Sequence, residues 1–161
     1  MFMDLMQLIE NRTLNNKNME IYIQKSSDLY LSFFKSPYSY NEKEALEELG
    51  IDSGLLHQLL EDFTFQIIAS NITLHKQINL LKKEKLYAQE LDFTPFRNTI
   101  HKNLGVARNL RIKDSIEILN TLMIEDDLEK IEMLLEVLEA SALKLKPQKA
   151  YETLQLIQKV T

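Results

Sequence analysis

From Leu56 to Leu81 the residues Leu56, Leu60, Phe63, Ile67, Leu74, Ile78 and Leu81 recur at steps of three and four, with Ser70 in the same series. A strand cannot carry that pattern, because its side chains alternate at every second residue. Sustained over roughly six to seven turns at 3.6 residues each, the series is one continuous apolar side of a long α-helix. Such a side must be covered, and the rest of the chain supplies material of the same kind.

The punctuation divides that material into helices. Pro37 sits in the turn-like stretch Lys35-Ser-Pro-Tyr-Ser-Tyr40, ahead of an acidic helix from Asn41 to Leu49 that Gly50 ends. Asp52 or Ser53 caps the long helix, and the cluster Lys82-Lys-Glu-Lys85 places positive charge at its end, where the helix dipole favours it. Asp92-Phe-Thr-Pro95 starts the next helix, with Pro at the first helical position, and predicts it over Thr94 to Leu110. Arg111-Ile-Lys-Asp114 breaks it. Ile112, Ile116, Leu119 and Met123 stripe a further helix, and Glu125-Asp-Asp127 opens another, striped by Leu128, Ile131, Leu135, Leu138, Ala142 and Leu145. Pro147 ends that one and begins a last short helix through Val160. In the first forty residues, Phe2–Glu10 and Met19–Phe34 read as one or two more.

Long helices joined by short connections pack as antiparallel neighbours. The expected fold is therefore all-α: an up-down antiparallel four-helix bundle core over residues 41–146, an N-terminal helical extension over 1–40 and a C-terminal helix over 147–161. Only three Gly and three Pro among 161 residues argue against an all-β chain, which needs many turn residues. With no cysteine, disulfides and thiolate metal sites are ruled out, which accords with a reducing cytoplasm. The net charge of −5 argues against nucleic-acid binding. No apolar run approaches the roughly 20 residues of a membrane span. The start Met-Phe-Met-Asp-Leu-Met has no basic segment and reads as part of a packed helix rather than a secretory signal or membrane anchor.

Three histidines are the natural places to look for chemistry. His57 and His75 lie beside the stripe of the long helix, next to Gln58 and Lys76, and read as surface or boundary residues. No other His or Cys stands at ligand spacing, so neither a metal nor a cofactor is expected. Glu44, Glu47, Glu48 and the acidic series from Glu125 to Glu139 read as solvated helix faces.

His101 has a different setting. Gly105, one turn further along, is the only glycine inside a predicted helix, where it costs roughly 1 kcal/mol relative to alanine. It leaves open space beside the imidazole, or else it lets two helices pack closely. Arg97 at i−4 and Arg108 at i+7 fall on roughly the same side as His101, and Lys102 flanks it. Phe96, Ile100, Ala107 and Leu110 occupy the opposite side and fit into a bundle. A neutral imidazole is a competent nucleophile at cellular pH, and a cationic surround can hold a phosphoryl group through charge-assisted hydrogen bonds.

The run His101-Lys-Asn-Leu-Gly105-Val-Ala107-Arg-Asn-Leu110-Arg-Ile112 resembles the motif of histidine-containing phosphotransfer domains in two-component phosphorelays. It agrees at the His, at Gly105, at Ala107 and through Asn109 to Ile112. Upstream, Ala45 to Phe63 looks like that family's approach into its long second helix, so the resemblance covers roughly residues 41–146. One departure matters. The family has leucine two residues after the His, facing the core, and lysine three residues after it, on the surface. This chain has Asn103 and Leu104 there.

The resemblance implies a phosphocarrier that is not an enzyme in its own right. His101 would accept a phosphoryl group from a receiver-domain aspartate and pass it to another receiver, the receiver supplying Mg²⁺ and the acidic residues. Arg97, Lys102 and Arg108 are the candidates to stabilise the phosphoryl group. Leu104 and Val106 would add apolar surface for the receiver, and Gly105 would give clearance. Two alternatives stand beside this. The chain would be a docking module that binds a response regulator without transfer, or a structural bundle that forms homo-oligomers through its N-terminal helices. In the last case His101 should be buried, and Arg97 and Arg108 should pair with acidic neighbours.

Overall fold

The computed structural model describes residues 15–35, 40–88 and 90–160, and the expected Phe2–Glu10 helix lies outside them. Seven helices carry the described chain, with no strand among these residues: α1 (Asn16–Phe34), α2 (Glu42–Leu49), α3 (Ser53–Glu84), α4 (Thr94–Asn109), α5 (Lys113–Ile124), α6 (Leu128–Leu145) and α7 (Pro147–Val160). None is long and apolar enough to cross a membrane.

The local signals act as their chemistry dictates. Asn15, Asn41, Asp52 and Asp127 each accept a backbone N–H of the following first turn, satisfying donors that a helix start leaves open. Gly50 ends α2 at φ +65°, a left-handed conformation that side chains resist. Arg111 adopts nearly the same conformation, φ +60°, without being glycine. Its guanidinium donates to Glu48 Oε2 at 2.8 Å and to the Arg108 carbonyl at 2.8 Å, which holds the turn after α4. Gly54 falls in the first turn of α3, so Gly105 is not the only helical glycine.

The α3 stripe is buried throughout. Leu56, Leu60, Phe63, Ile67, Leu74, Ile78 and Leu81 meet Phe96, Ile100 and Leu104 of α4, Ile118, Leu119 and Leu122 of α5, and Ile131, Leu134, Leu135 and Leu138 of α6 in the main core. α3 packs on α4 and α6, and α5 also packs on α4 and α6. Two of these pairs show their direction in side-chain bonds. The Thr64 hydroxyl donates to the Ala142 carbonyl and the Asn71 amide to the Leu135 carbonyl, so α3 and α6 run antiparallel. Arg97 reaches Asp126 and Arg108 reaches Asn120, so α4 and α5 run antiparallel as well. A second, smaller core lies on the other side of α6, where Met19 and Tyr22 of α1 meet Ile68, Ala140, Leu143, Ala150 and Leu154.

Candidate functional site

On α4 the buried side chains are Phe96, Ile100, Asn103, Leu104 and Ala107. At about 100° per residue these fall on one side of the helix, and the positions between them face water. Two residues before the helix starts, the Thr94 hydroxyl and then the Thr94 N–H hold the Asp92 carboxyl below the usual carboxylate range.

His101 is exposed, and its ring makes no hydrogen bond or ion pair with the described residues. Lys102, Gly105 and Arg108 are exposed beside it. A Cβ placed on Gly105 would meet nothing within 4 Å. Close helix packing therefore does not explain this glycine. The space beside the imidazole is open, as one of the two sequence readings required.

The three cations are not equivalent. Arg97 Nη2 donates to Asp126 Oδ1 at 2.9 Å, and its guanidinium lies 4.8 Å from the centre of the Phe93 ring. Its charge is thus matched by a carboxylate and its plane held against an aromatic face. Arg108 donates to Asn120 Oδ1 at 3.2 Å, a neutral acceptor that leaves the positive charge uncompensated. Lys102 makes no hydrogen bond or ion pair with the described residues. Lys102 and Arg108 are the cations available to an incoming anion.

Leu104 is not where the sequence reading needed it. It is 3% exposed and packed in the main core, so it offers no surface to a partner. The reason is its spacing: four residues after Ile100, it shares that residue's inward direction. Val106 is half-buried against the same core. Asn103, in the position where the resembled motif has leucine, is 2% exposed, with its carbonyl oxygen and its amide nitrogen each hydrogen-bonded within the protein.

His57 is half-buried, with Nε2 2.9 Å from Glu42 Oε1 and Nδ1 against the Lys146 ammonium. His75 lies at the edge of a buried polar cluster that the acidic pattern of α6 did not disclose. Its Nε2 is 3.5 Å from Glu139 Oε1, while the Tyr22 hydroxyl lies 3.1 Å from Glu139 Oε2 and 3.0 Å from the Glu136 carbonyl oxygen. Glu139 is 5% exposed, which corrects its reading as part of a solvated face. A fully buried tyrosine from α1 covers it. Nearby, burial pushes the Asp114 carboxyl above its usual range, against the opposing effect of the Ser141 hydroxyl that donates to it at 2.6 Å. Among the described residues no group of three or more His, Cys, Asp or Glu comes together to hold a metal ion.

No family model, curated protein or solved structure matches this chain.

Proposed function

We propose that this chain is a phosphorelay histidine phosphotransfer protein, a carrier built on an up-down four-helix core of α3, α4, α5 and α6. His101 accepts a phosphoryl group from the aspartyl phosphate of one receiver domain and gives it to another. The observation that carries the reading is the unbonded, exposed His101 with open space at Gly105 one turn away. The cycle of contacts from α3 to α4, α5, α6 and back to α3 supports the bundle arrangement.

In this reading the ring Nε2 attacks phosphorus in line with the aspartate oxygen that leaves, so the new P–N bond forms as the P–O bond breaks. Such transfer depends on positioning and on compensating charge, and needs little other machinery from the carrier. The receiver brings Mg²⁺ and the acidic residues that hold it. Lys102 and Arg108 flank the imidazole on the same exposed face and carry charge that no carboxylate among the described residues offsets by contact, so they are the groups to hold the phosphoryl oxygens. The protein is then no enzyme by itself, its partners are receiver domains of response regulators or hybrid kinases, and a cytoplasmic location belongs with that role.

A second reading is favoured by Leu104. The family's lysine position is here an apolar core residue, so a module that docks on a receiver without accepting phosphate is the runner-up. The structural-bundle reading asks for a buried His101, whereas this one is exposed, although the Arg97–Asp126 pair is of the kind it expects.

One experiment separates them. The protein is incubated with phosphorylated receivers, and label stable to alkali but labile to acid is measured on the wild type and on His101→Gln. Label on the wild type alone, at an unchanged melting temperature, supports transfer. Binding without label supports docking, and neither binding nor label refutes both.

A further inference from the structure

Asn103 is the only polar residue among the buried side chains of α4. Burying an amide among leucines is unfavourable unless its polar atoms find partners. Here both the oxygen and the nitrogen do. Gln66 Nε2 donates to Asn103 Oδ1 at 3.0 Å, and Asn103 Nδ2 donates to Ser70 Oγ at 2.9 Å. The Ser70 hydroxyl in turn donates to the Ile67 carbonyl at 3.2 Å. Gln66 and Ser70 stand one turn apart on α3, so two successive turns of that helix grip a single amide of α4.

An apolar contact tolerates rotation and sliding of one helix on another, because dispersion and burial are nearly independent of direction. Two hydrogen bonds to one planar amide do not tolerate either. A buried polar residue that specifies register in helix pairs is the best-attested use of such a group. His101 lies two residues before Asn103, about 200° around the helix. Whatever points Asn103 at α3 points His101 at solvent.

We infer that Gln66, Asn103 and Ser70 are positioning residues, which set the rotation of α4 on α3 and thereby the direction of the His101 imidazole. The consequence for phosphoryl transfer rests on the function proposed above, while the mechanical claim stands without it. In-line transfer is sensitive to the placement of the attacking atom. A displacement of about 1 Å at such a centre can change the rate by about a hundredfold.

The test replaces Asn103 by leucine in the full chain, which puts an apolar side chain of similar size into the core. Ring relaxation of His101 and amide exchange along α4 are followed by NMR, together with the melting temperature. The expected result is a melting temperature equal to or above that of the wild type, with exchange broadening at His101 and faster amide exchange along α4. Unchanged His101 signals and unchanged α4 exchange would overturn the inference. If Asn103→Leu does not fold, Ser70→Ala and Gln66→Leu, each removing one half of the grip from a half-buried position, are read by the same two measures.

Phosphoramidate keeps the two readings apart. It offers a phosphoryl group without any receiver: its P–N bond breaks, ammonia leaves and a P–N bond to the imidazole forms. Failure to label wild-type His101 counts against the acceptor reading alone, and the NMR result still decides the positioning claim. Where the wild type does label, transfer from a phosphorylated receiver should slow about tenfold or more in Asn103→Leu, with phosphoramidate labelling unchanged.

Discussion

Two regions of this molecule carry its polar chemistry, and they solve opposite problems. Where α1 and α5 meet α6, the ionisable groups are buried or half-buried and held. Glu139 receives the Tyr22 hydroxyl and faces His75, and Asp114 receives the Ser141 hydroxyl and the Ser115 N–H. On the outer face of α4, by contrast, His101 is exposed and unbonded, with an open glycine and two flanking cations. A carboxyl held above its usual range in a cleft is a fair first candidate for a functional site. Here that criterion points to Asp114, which lines clefts of about 170 and 250 Å³. Yet its oxygens are taken, one by the Ser141 hydroxyl of α6 and the other by the Ser115 N–H of its own helix. A group proposed to meet another protein's phosphorus needs access, and the exposed α4 face has it.

The contrast predicts that the buried cluster governs stability and leaves the α4 face alone. Tyr22→Phe removes one hydroxyl and leaves Glu139 buried with a partner missing. A hydrogen bond to a charged group contributes about 1.5–3 kcal/mol, so urea denaturation should show a loss of that order. Labelling of His101, or binding of a receiver there, should not change. A loss of labelling with little loss of stability would reverse the assignment of the two regions.

A smaller effect is expected at Asp114, and it has a direction in pH. Burial raises its folded pKa above the ordinary 3.8, so between the unfolded and folded values the folded state holds more of the proton. The contribution of this group is therefore fully present below the unfolded pKa and is lost as pH rises through the folded one. Asp92 is shifted in the opposite sense, so the quantity to measure is the difference in stability between wild type and Asp114→Asn. Moving from acid toward neutral pH, that difference should shift in favour of the variant. A difference independent of pH would show that Asp114 is ionised as readily in the fold as outside it.

The two regions were not equally legible in the sequence. The α3 stripe, the caps and the breaks at Gly50 and Pro147 announce their helices, because each acts over a few residues. The outer face of α4 could be read for the same reason: His101, Gly105 and Arg108 share it by spacing alone. Motif position alone places Leu104 at the surface, whereas its distance of four from Ile100 puts it inside, where it is 3% exposed. Glu139 was unreadable on local grounds. Its helix carries Glu129, Glu132, Glu136 and Glu139 at steps of three and four, the pattern of a solvated side, and the cover over the last of them comes from Tyr22, in a helix more than a hundred residues earlier, and from His75. Asn103 looked like a departure from a motif until Gln66 and Ser70, supplied by another helix, gave it partners.

Gly105 sharpens the comparison from the exposed side. Since a Cβ there meets nothing, Gly105→Ala should stabilise the protein by about 0.5–1 kcal/mol, the ordinary gain of alanine over glycine in a helix. A rise of a few degrees in melting temperature follows for a domain of this size. If the glycine is kept for clearance, the same substitution should slow transfer from a receiver while raising stability. A destabilised Gly105→Ala would mean that the backbone there is packed after all.

The smallest effect belongs to the pair that most resembles a designed contact, Arg97 with Asp126. Its carboxylate is 81% exposed, so the 2.9 Å contact sits in water and salt. Exposed pairs of this kind contribute about 0–1 kcal/mol, and Asp126→Asn should fall near the lower end of that range in thermal denaturation. Its value lies elsewhere. Removing the carboxylate frees the Arg97 charge one turn from His101, so the α4 face gains a third uncompensated cation beside Lys102 and Arg108. If charge on that face holds a phosphoryl group, Asp126→Asn should lengthen the lifetime of phosphorylated His101 or tighten receiver binding, with the gain shrinking as salt is added. If neither property moves, Arg97 is a structural residue of the α4–α5 seam, and Lys102 and Arg108 alone remain to act on the anion.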